Sequence, residues 1–120
     1  MKALIIDDEI DICYLLSGLL VNKKMEVDYV TTLADAVVAI EKYKPEIVFL
    51  DNRLPDGKGI DFAGYIKEKI PNVKLAMITA YDTPTDRDLA LSRGIDFFLG
   101  KPFTRHKIYE TVDEMIYRNN

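Results

Sequence analysis

The segment EIVFLDNRLPDGKG, from Glu46 to Gly59, contains a short apolar run that ends on a carboxylate. Residues 47–50 are four consecutive apolar residues, which is the pattern of a strand buried on both faces of a parallel sheet. Asp51 follows directly, and a buried carboxylate is unfavourable unless a nearby group uses its charge. The segment therefore predicts a central strand that carries a functional acid at its carboxyl end.

The rest of the chain alternates short apolar runs with segments of helical periodicity. Runs rich in Val and Ile predict strands at 3–6, 27–30, 47–50, 73–78 and 95–99. Between them, apolar residues recur at helical spacing, as in Leu33, Ala36, Val37 and Ile40. Thr32 can cap that helix, and Pro84 after Thr83 can open the fourth helix. Gly94 can close the fourth helix, and the last helix is expected to run to Arg118.

This order of five strand-then-helix units predicts a parallel sheet with helices on both faces and right-handed crossovers. The 120 residues suit one domain with one sizeable core. No linker, internal repeat or low-complexity tract divides the sequence. We therefore expect a single three-layer α/β domain over 1–120.

Charge and composition narrow the functional classes. Apolar residues make up 48% of the chain and charged residues 30%, which is typical of a globular protein. Asp plus Glu number 20 against 16 Lys plus Arg, so the formal net charge is −4. Nucleic-acid-binding domains normally show a basic patch, and the basic cluster at 105–107 is too short to be one. We expect no direct contact with nucleic acid.

The remaining sequence signals indicate a protein of the cytoplasm. Cys13 is the one cysteine, and its apolar helical surroundings predict a buried, unreactive thiol. His106 is expected at the surface. No apolar run approaches the roughly 18 residues needed to span a bilayer, and the N-terminus turns acidic too early for a signal peptide. We expect a cytoplasmic location and no membrane partner.

Polar residues follow the predicted strands at the edge where open parallel sheets bind ligands. After the first, third, fourth and fifth strands they are Asp7-Asp8-Glu9, Asp51-Asn52-Arg53, Thr79-Ala80-Tyr81 and Gly100-Lys101-Pro102. Asp7, Asp8 and Asp51 would repel one another, so a hard divalent cation such as Mg²⁺ is the expected counter-ion. Lys101 and the Thr79 hydroxyl would add a cation and a donor opposite. This arrangement suits phosphoryl transfer, with Asp51 as the candidate nucleophile.

Each of these residues also has a plainer interpretation when taken alone. Asp8 could cap a helix that starts near Glu9, Thr79 could be a strand-end hydroxyl, and Lys101 could be a solvated surface lysine. Their joint occurrence at the ends of four strands favours a functional site.

Together these motifs resemble the receiver domain of two-component response regulators. The similarity rests on Asp7-Asp8, Asp51, Thr79-Ala80 and Lys101-Pro102, and it covers essentially the whole chain. It implies the flavodoxin-like doubly wound (βα)5 fold with sheet order 2-1-3-4-5. It also implies a signalling switch in a phosphorelay rather than an enzyme with its own substrate. In such a switch, Asp51 accepts a phosphoryl group from the phosphohistidine of a histidine kinase or a histidine phosphotransferase.

The resemblance also implies a metal site beside the phosphoacceptor. Asp8, assisted by Asp7, and Asp51 itself would hold Mg²⁺ or Mn²⁺. The backbone carbonyl of Arg53 matches the position that supplies a further ligand.

The phosphoryl-binding and switch residues follow from the same resemblance. Lys101 would pair with the phosphoryl oxygens, and its peptide bond to Pro102 is usually cis in this family. Thr79 would hydrogen-bond a phosphoryl oxygen, and Phe98 would turn inward with it. Many receivers carry Tyr where this chain has Phe98, so the aromatic ring offers no hydroxyl, and a plain core residue is the alternative interpretation.

Two large residues flank the expected phosphorylation site. Arg53 and Tyr81 stand two residues beyond Asp51 and Thr79. Our hypothesis is that Arg53 and Tyr81 shield the phosphoryl group from water and prolong the phosphorylated state.

Expected partners come from the resemblance as well. The output surface would be the fourth helix, fifth strand and fifth helix, about 86–117, which would contact an output domain, a partner or a second copy in a phosphorylation-dependent homodimer. The kinase would dock near the first helix and the loop after the fifth strand. The sequence leaves open whether the chain is a stand-alone receiver or a fragment of a longer regulator, including a transcription regulator.

Three other functions remain open on the residues alone. A flavin- or nucleotide-binding module would want a Gly-rich or Ser/Thr-rich loop after the first strand, where this chain has three acids. A phosphohydrolase with an aspartate nucleophile usually has a second acid two residues later, where this chain has Arg53. A degenerate receiver that only mediates interactions would not need the acidic, hydroxyl and lysine positions present here.

Overall fold

A five-stranded parallel sheet forms the centre of the protein. The structure, a computed structural model, describes residues 1–80 and 83–117. The main-sheet strands are β1 (Lys2–Ile6), β2 (Glu26–Val30), β3 (Ile47–Asp51), β6 (Lys74–Thr79) and β7 (Phe97–Gly100). Their order in the sheet is β2-β1-β3-β6-β7, with every pair parallel. This order is the predicted 2-1-3-4-5 once β6 and β7 are counted as the fourth and fifth main-sheet strands, so the flavodoxin-like fold class is confirmed.

In the part of the chain that the structure describes, five helices cover the two faces of the sheet. They are α1 (Ile10–Asn22), α2 (Leu33–Tyr43), α3 (Gly59–Lys69), α4 (Pro84–Ser92) and α5 (Arg105–Tyr117). A two-stranded antiparallel hairpin of β4 (Arg53–Leu54) and β5 (Gly57–Lys58) lies between β3 and α3. Within the described residues, none of the helices combines the length and the apolar character that a bilayer crossing requires.

The central strand β3 divides the core into two apolar layers. Ile47 and Phe49 pack with residues of α1 and α5, whereas Val48 and Leu50 pack with residues of α2, α3 and α4. All four side chains are completely buried, which confirms the prediction of a strand buried on both faces. Burial of an apolar side chain of this size contributes roughly 1.5–3 kcal/mol, so the core holds the end of β3 in a fixed place.

The predicted helix ends agree with the structure in most places. Thr32 accepts a hydrogen bond from the Asp35 amide at 3.1 Å, and Thr83 accepts one from the Asp86 amide at 3.2 Å. Gly94 follows α4 with a φ of 87°, a left-handed conformation that glycine adopts without strain.

Two predicted boundaries need comment. The fifth main-sheet strand begins at Phe97 rather than at residue 95, because the Ile95 amide still donates to the carbonyl of Ala90 at the end of α4. The last helix is described as far as Tyr117, so its predicted end at Arg118 lies outside the described residues.

Candidate functional site

The site lies at the carboxyl edge of the sheet, where three strand ends deliver charged side chains. Asp7 directly follows β1, Asp51 is the last residue of β3, and Lys101 directly follows β7. Asp7 is completely buried and Asp51 is 5% exposed, although both are acids. Because β1 and β3 are hydrogen-bonded neighbours, the fold forces the two carboxylates together.

Lys101 brings a positive charge to both buried acids. Its Nζ lies 3.0 Å from Asp7 Oδ2 and 3.6 Å from Asp51 Oδ2. The same Nζ donates a hydrogen bond of 2.9 Å to Glu9 Oε1. The Lys101 amide donates to the carbonyl of Thr79 at 2.7 Å, and the Lys101–Pro102 peptide is cis. One ammonium group therefore faces three carboxylates.

Burial raises the pKa of the two central acids. Desolvation, followed by the charge of Asp7, raises the pKa of Asp51 to about 7 even though Lys101 opposes the shift. Burial also raises the pKa of Asp7, while the Glu9 amide and Lys101 act in the opposite direction. The ammonium of Lys101 thus compensates only part of the cost of placing two carboxylates together.

The ammonium itself is held in its charged form. Burial lowers the pKa of Lys101, but the contacts with Glu9 and Asp7 and the negative charges of Asp7 and Asp51 together raise it more, so its pKa lies above the ordinary value. Cys13, beneath the site, donates its thiol to the Asp7 carbonyl at 3.2 Å. Burial and the nearby Asp7 raise the pKa of the Cys13 thiol to about 11. The thiol is therefore neutral at physiological pH, in line with the predicted buried cysteine.

The donor set fits a hard divalent cation. Oxygen atoms of Asp7, Asp8, Glu9 and Asp51 all lie within 4.8 Å of one another. Asp7 Oδ2 is buried, and among the described residues no donor meets it with hydrogen-bond geometry, because the Lys101 ammonium approaches it only as an ion pair. Clustered carboxylate oxygens with unused acceptor capacity are the ligands that Mg²⁺ and Ca²⁺ prefer.

The plainer interpretation of Asp8 is wrong. The capping position of α1 is Glu9, and within the described residues no side chain caps the first turn. Asp8 is exposed and belongs instead to the carboxylate cluster. Asp7 Oδ1 accepts the Glu9 amide at 2.9 Å, and the helix starts at Ile10, one residue too late for Asp8 to be its cap.

The sequence interpretation missed Glu9 as a site residue. Its carboxylate contacts Lys101 and belongs to the acidic cluster. The run Asp7-Asp8-Glu9 carried the signal, since three consecutive acids at one strand end place at least one more carboxylate near the two expected ligands.

The segment after Asp51 is more structured than the sequence indicated. Asn52 Oδ1 accepts the amide of Ile60 at 3.0 Å, and the Gly59 amide donates to the Asn52 carbonyl at 3.0 Å. Both oxygens of Asp56 accept amides at the start of α2, from Leu33 at 2.8 Å and from Ala34 at 3.0 Å. Asp56 thus ties the turn between β4 and β5 to the start of α2.

Two other predicted site residues, Thr79 and Arg53, lie within the described residues. Thr79 is buried at the end of β6 and pairs with Gly100 in the sheet. The Arg53 amide lies 3.5 Å from Asp51 Oδ1, while the Arg53 side chain is exposed in the hairpin opposite Lys58. Tyr81 lies outside the described residues.

Phe98 lies on the side of the sheet where α4 packs. Its ring is partly buried against the apolar layer of α2, α3 and α4. The Arg87 guanidinium carbon lies 5.3 Å from the ring centroid, within cation–π range. The structure thus shows Phe98 packed under an arginine of α4.

Comparison with protein families matches residues 3–113 to the response regulator receiver domain. Response regulator protein PilR of Pseudomonas aeruginosa is 36% identical over 92% of this chain and 25% of its own length. Transcriptional regulatory protein BasR of Escherichia coli is 33% identical over 100% of this chain and 54% of its own length. The chain therefore spans between a quarter and about half of the length of these relatives.

Solved structures give the same match. The solution structure of the beryllofluoride-activated NtrC4 receiver domain dimer superimposes with a TM-score of 0.93 at 28% identity, covering 99% of this chain and 98% of that one. The similarity therefore extends over both chains almost from end to end.

Proposed function

The chain belongs to the response regulator receiver domain family, and we propose that it is a phosphorylation switch in which Asp51 is the phosphoacceptor. Receiver domains are regulatory phosphoacceptors of two-component systems rather than enzymes that turn over a separate substrate. The observation that carries the proposal is the position of Asp51. It ends the buried central strand, shares a carboxylate cluster with Asp7 and Asp8, and lies 3.6 Å from the Lys101 ammonium.

Receiver domains generally bind Mg²⁺ at an acidic pocket, and the carboxylates of this chain fit that ion. Asp7, Asp8 and Asp51 are its proposed holders, with the Arg53 carbonyl as a further ligand and Mn²⁺ as an alternative ion. A bound divalent cation would neutralise the phosphoryl oxygens beside Asp51. It would also favour the ionised form of Asp51, whose pKa is otherwise raised by burial and Asp7.

The chemical step proposed for the chain is a phosphoryl transfer. A carboxylate oxygen of Asp51 forms a bond to phosphorus while the bond between phosphorus and the donor histidine nitrogen breaks, and the electron pair of that bond stays on the imidazole. Lys101 lies close enough to turn its ammonium from the acids to the transferred oxygens. Thr79, at the end of the neighbouring strand, donates its hydroxyl to one of them.

The finer parts of the proposal concern the response to phosphorylation. Phe98 moves inward together with Thr79, which alters the α4–β7–α5 surface read by an output domain, a partner or a second copy. The dimer formed by the beryllofluoride-activated NtrC4 receiver domain supports an association of receivers. We assign the protein to the cytoplasm, as one receiver domain, with a histidine kinase or a histidine phosphotransferase as the phosphoryl donor.

Slow loss of the phosphoryl group is part of the proposal. Arg53 and Tyr81 would exclude attacking water, so autodephosphorylation of an Arg53→Ala, Tyr81→Ala double variant should be clearly faster than that of the wild type. A rate that rises little would count against shielding.

The test of the central proposal is incubation with acetyl phosphate and Mg²⁺, followed by intact-mass measurement. The wild type should gain one phosphoryl group and Asp51→Ala none. Glu46→Gln, which removes an acid at the opposite end of the same strand, should behave like the wild type. A missing adduct, or one that persists in Asp51→Ala, would refute the assignment.

Two measurements separate the rival functions. Flavin absorbance in the purified protein would support a cofactor-binding module. Sustained turnover of an aryl phosphate would support a phosphohydrolase.

A further inference from the structure

Lys101 lies closer to the acids of the β1–α1 connection than to the proposed phosphoacceptor. Its Nζ is 2.9 Å from Glu9 and 3.0 Å from Asp7, but 3.6 Å from Asp51. The ammonium therefore contacts three of the four carboxylates whose oxygens cluster within 4.8 Å. A divalent cation at these oxygens would meet the ammonium as a competitor of like charge.

Glu9 has a distinct position in this arrangement. Its backbone is fixed because its amide donates to Asp7 Oδ1 at 2.9 Å. Its side chain occupies the capping position of α1 without capping the helix within the described residues. The carboxylate instead reaches Lys101, while remaining 59% exposed. Glu9 thus leaves its carboxylate available to contact the ammonium from the solvent side.

We propose that Glu9 is a positioning residue for Lys101. Glu9 holds the Lys101 ammonium over the acid cluster and back from Asp51. In this position the ammonium competes with the divalent cation for the carboxylates. The inference rests on the proposed function and deepens it. Entry of the metal and binding of the phosphoryl group both require Lys101 to leave Glu9, so the strength of this contact tunes the metal affinity of the site.

Removing the Glu9 charge has two opposing effects on metal affinity. The loss of a carboxylate beside the cluster weakens cation binding, whereas release of the ammonium strengthens it. The second effect exists only while Lys101 is present. An exposed ion pair of this kind corresponds to about a two- to fivefold change in an equilibrium constant.

The experiment is a double-mutant cycle on the Mg²⁺ dissociation constant, measured by titrating backbone amide signals in the full chain. The variants are Glu9→Gln, Lys101→Met and their combination. In the Lys101→Met background, Glu9→Gln should weaken Mg²⁺ binding about two- to fivefold. With Lys101 present, the same change should leave the affinity unchanged or tighten it. Equal weakening in both backgrounds would overturn the inference.

Asp11→Asn is the matched control, because it removes one exposed acid from the first turn of the same helix. Glu9 lies nearer the cluster, so simple charge loss predicts that Glu9→Gln binds Mg²⁺ more weakly than Asp11→Asn does. Our inference predicts an affinity at least as high. This comparison holds even if Lys101→Met does not fold, and weaker binding by Glu9→Gln would refute the positioning role.

Failure of the inference is distinguishable from failure of the proposed function. If the wild type shows neither saturable Mg²⁺ shifts nor an Asp51-dependent phosphoryl adduct, the proposed function fails. If it shows both and the cycle is additive, only the role of Glu9 fails.

Discussion

The two ends of strand β3 carry one acid each, in opposite environments. Glu46, just before the strand, is exposed and accepts the Lys2 amide at 3.1 Å. Asp51, at the other end, is 5% exposed, and burial together with Asp7 raises its pKa to about 7. One end of this strand thus has an acid that is exposed to water, whereas the other end has an acid that is buried beside a second carboxylate.

The difference shows where this fold carries unfavourable charge. At the amino edge of the sheet, Glu46 is exposed, so water can solvate its charge. At the carboxyl edge, the buried Asp7 and Asp51 depend on Lys101 and on any cation that binds there. Charge burial of this kind is expected where a site is prepared for ligands rather than where a fold is optimised for stability.

The largest effect on stability is expected from Gly59→Ala, a substitution that tests how tightly the carboxyl edge of the sheet is packed. A Cβ added at Gly59 would lie 2.2 Å from the carbonyl oxygen of Asp51. Because that atom belongs to the backbone of the central strand, Gly59→Ala should lower the free energy of unfolding by roughly 3 kcal/mol or more. Urea denaturation measures the change.

Gly64, later in the same helix, is the matched control. A Cβ there meets no described atom within 4 Å. Gly64→Ala should therefore stabilise the protein by up to about 1 kcal/mol, the ordinary gain of alanine over glycine in a helix. Similar effects at both glycines would contradict the tight packing inferred beneath Asp51.

A smaller effect is expected from removing the positive charge at the carboxyl edge. Lys101→Met leaves the buried Asp7 and Asp51 without their ammonium, so in EDTA the free energy of unfolding should fall by about 2 kcal/mol. Lys2→Met, at the amino edge, should change it by no more than about 1 kcal/mol. Urea denaturation measures both changes, and equal losses of unfolding free energy in the two variants would contradict the proposed difference between the edges.

The pH dependence of stability should give the smallest of these effects. The pKa of Asp51 is raised from 3.8 to about 7 in the folded state, so folding favours the protonated acid. The resulting stability is complete below pH 3.8 and is lost as the pH rises through about 7. In EDTA, the wild type should therefore lose about 1 kcal/mol more between about pH 5 and about pH 6 than Asp51→Asn does.

Glu46→Gln provides the control for that measurement. Because Glu46 is exposed, this variant should follow the wild-type pH profile, with a change in stability of less than about 0.5 kcal/mol. A wild-type profile that coincides with that of Asp51→Asn would show that Asp51 is not the source of the pH dependence.

Much of the fold could be predicted because its signals are local. The apolar run 47–50, the caps Thr32 and Thr83 and the glycine at 94 each act through neighbouring residues. The edge that carries the site could also be predicted, since parallel strands place their carboxyl ends together. The β4–β5 hairpin was not predicted, because each of its strands is only two residues long and shows no periodicity.

The details of the site depend on contacts between residues distant in sequence. Lys101 and Glu9 are 92 residues apart, and Asp56 reaches back 23 residues to the start of α2. No local pattern predicts which acids the Lys101 ammonium contacts, because these contacts depend on distances that exist only after the sheet has formed.

The sequence alone therefore determined that the chain is a doubly wound α/β protein with acids, a hydroxyl and a lysine at one edge. It did so because strand periodicity, caps and the order of elements are properties of short segments. Only the tertiary structure decided that Asp51 is buried beside Asp7, that Asp8 joins the cluster instead of capping α1, and that Lys101 contacts Glu9. The physical reason is that burial and charge interactions depend on packing across the whole sheet.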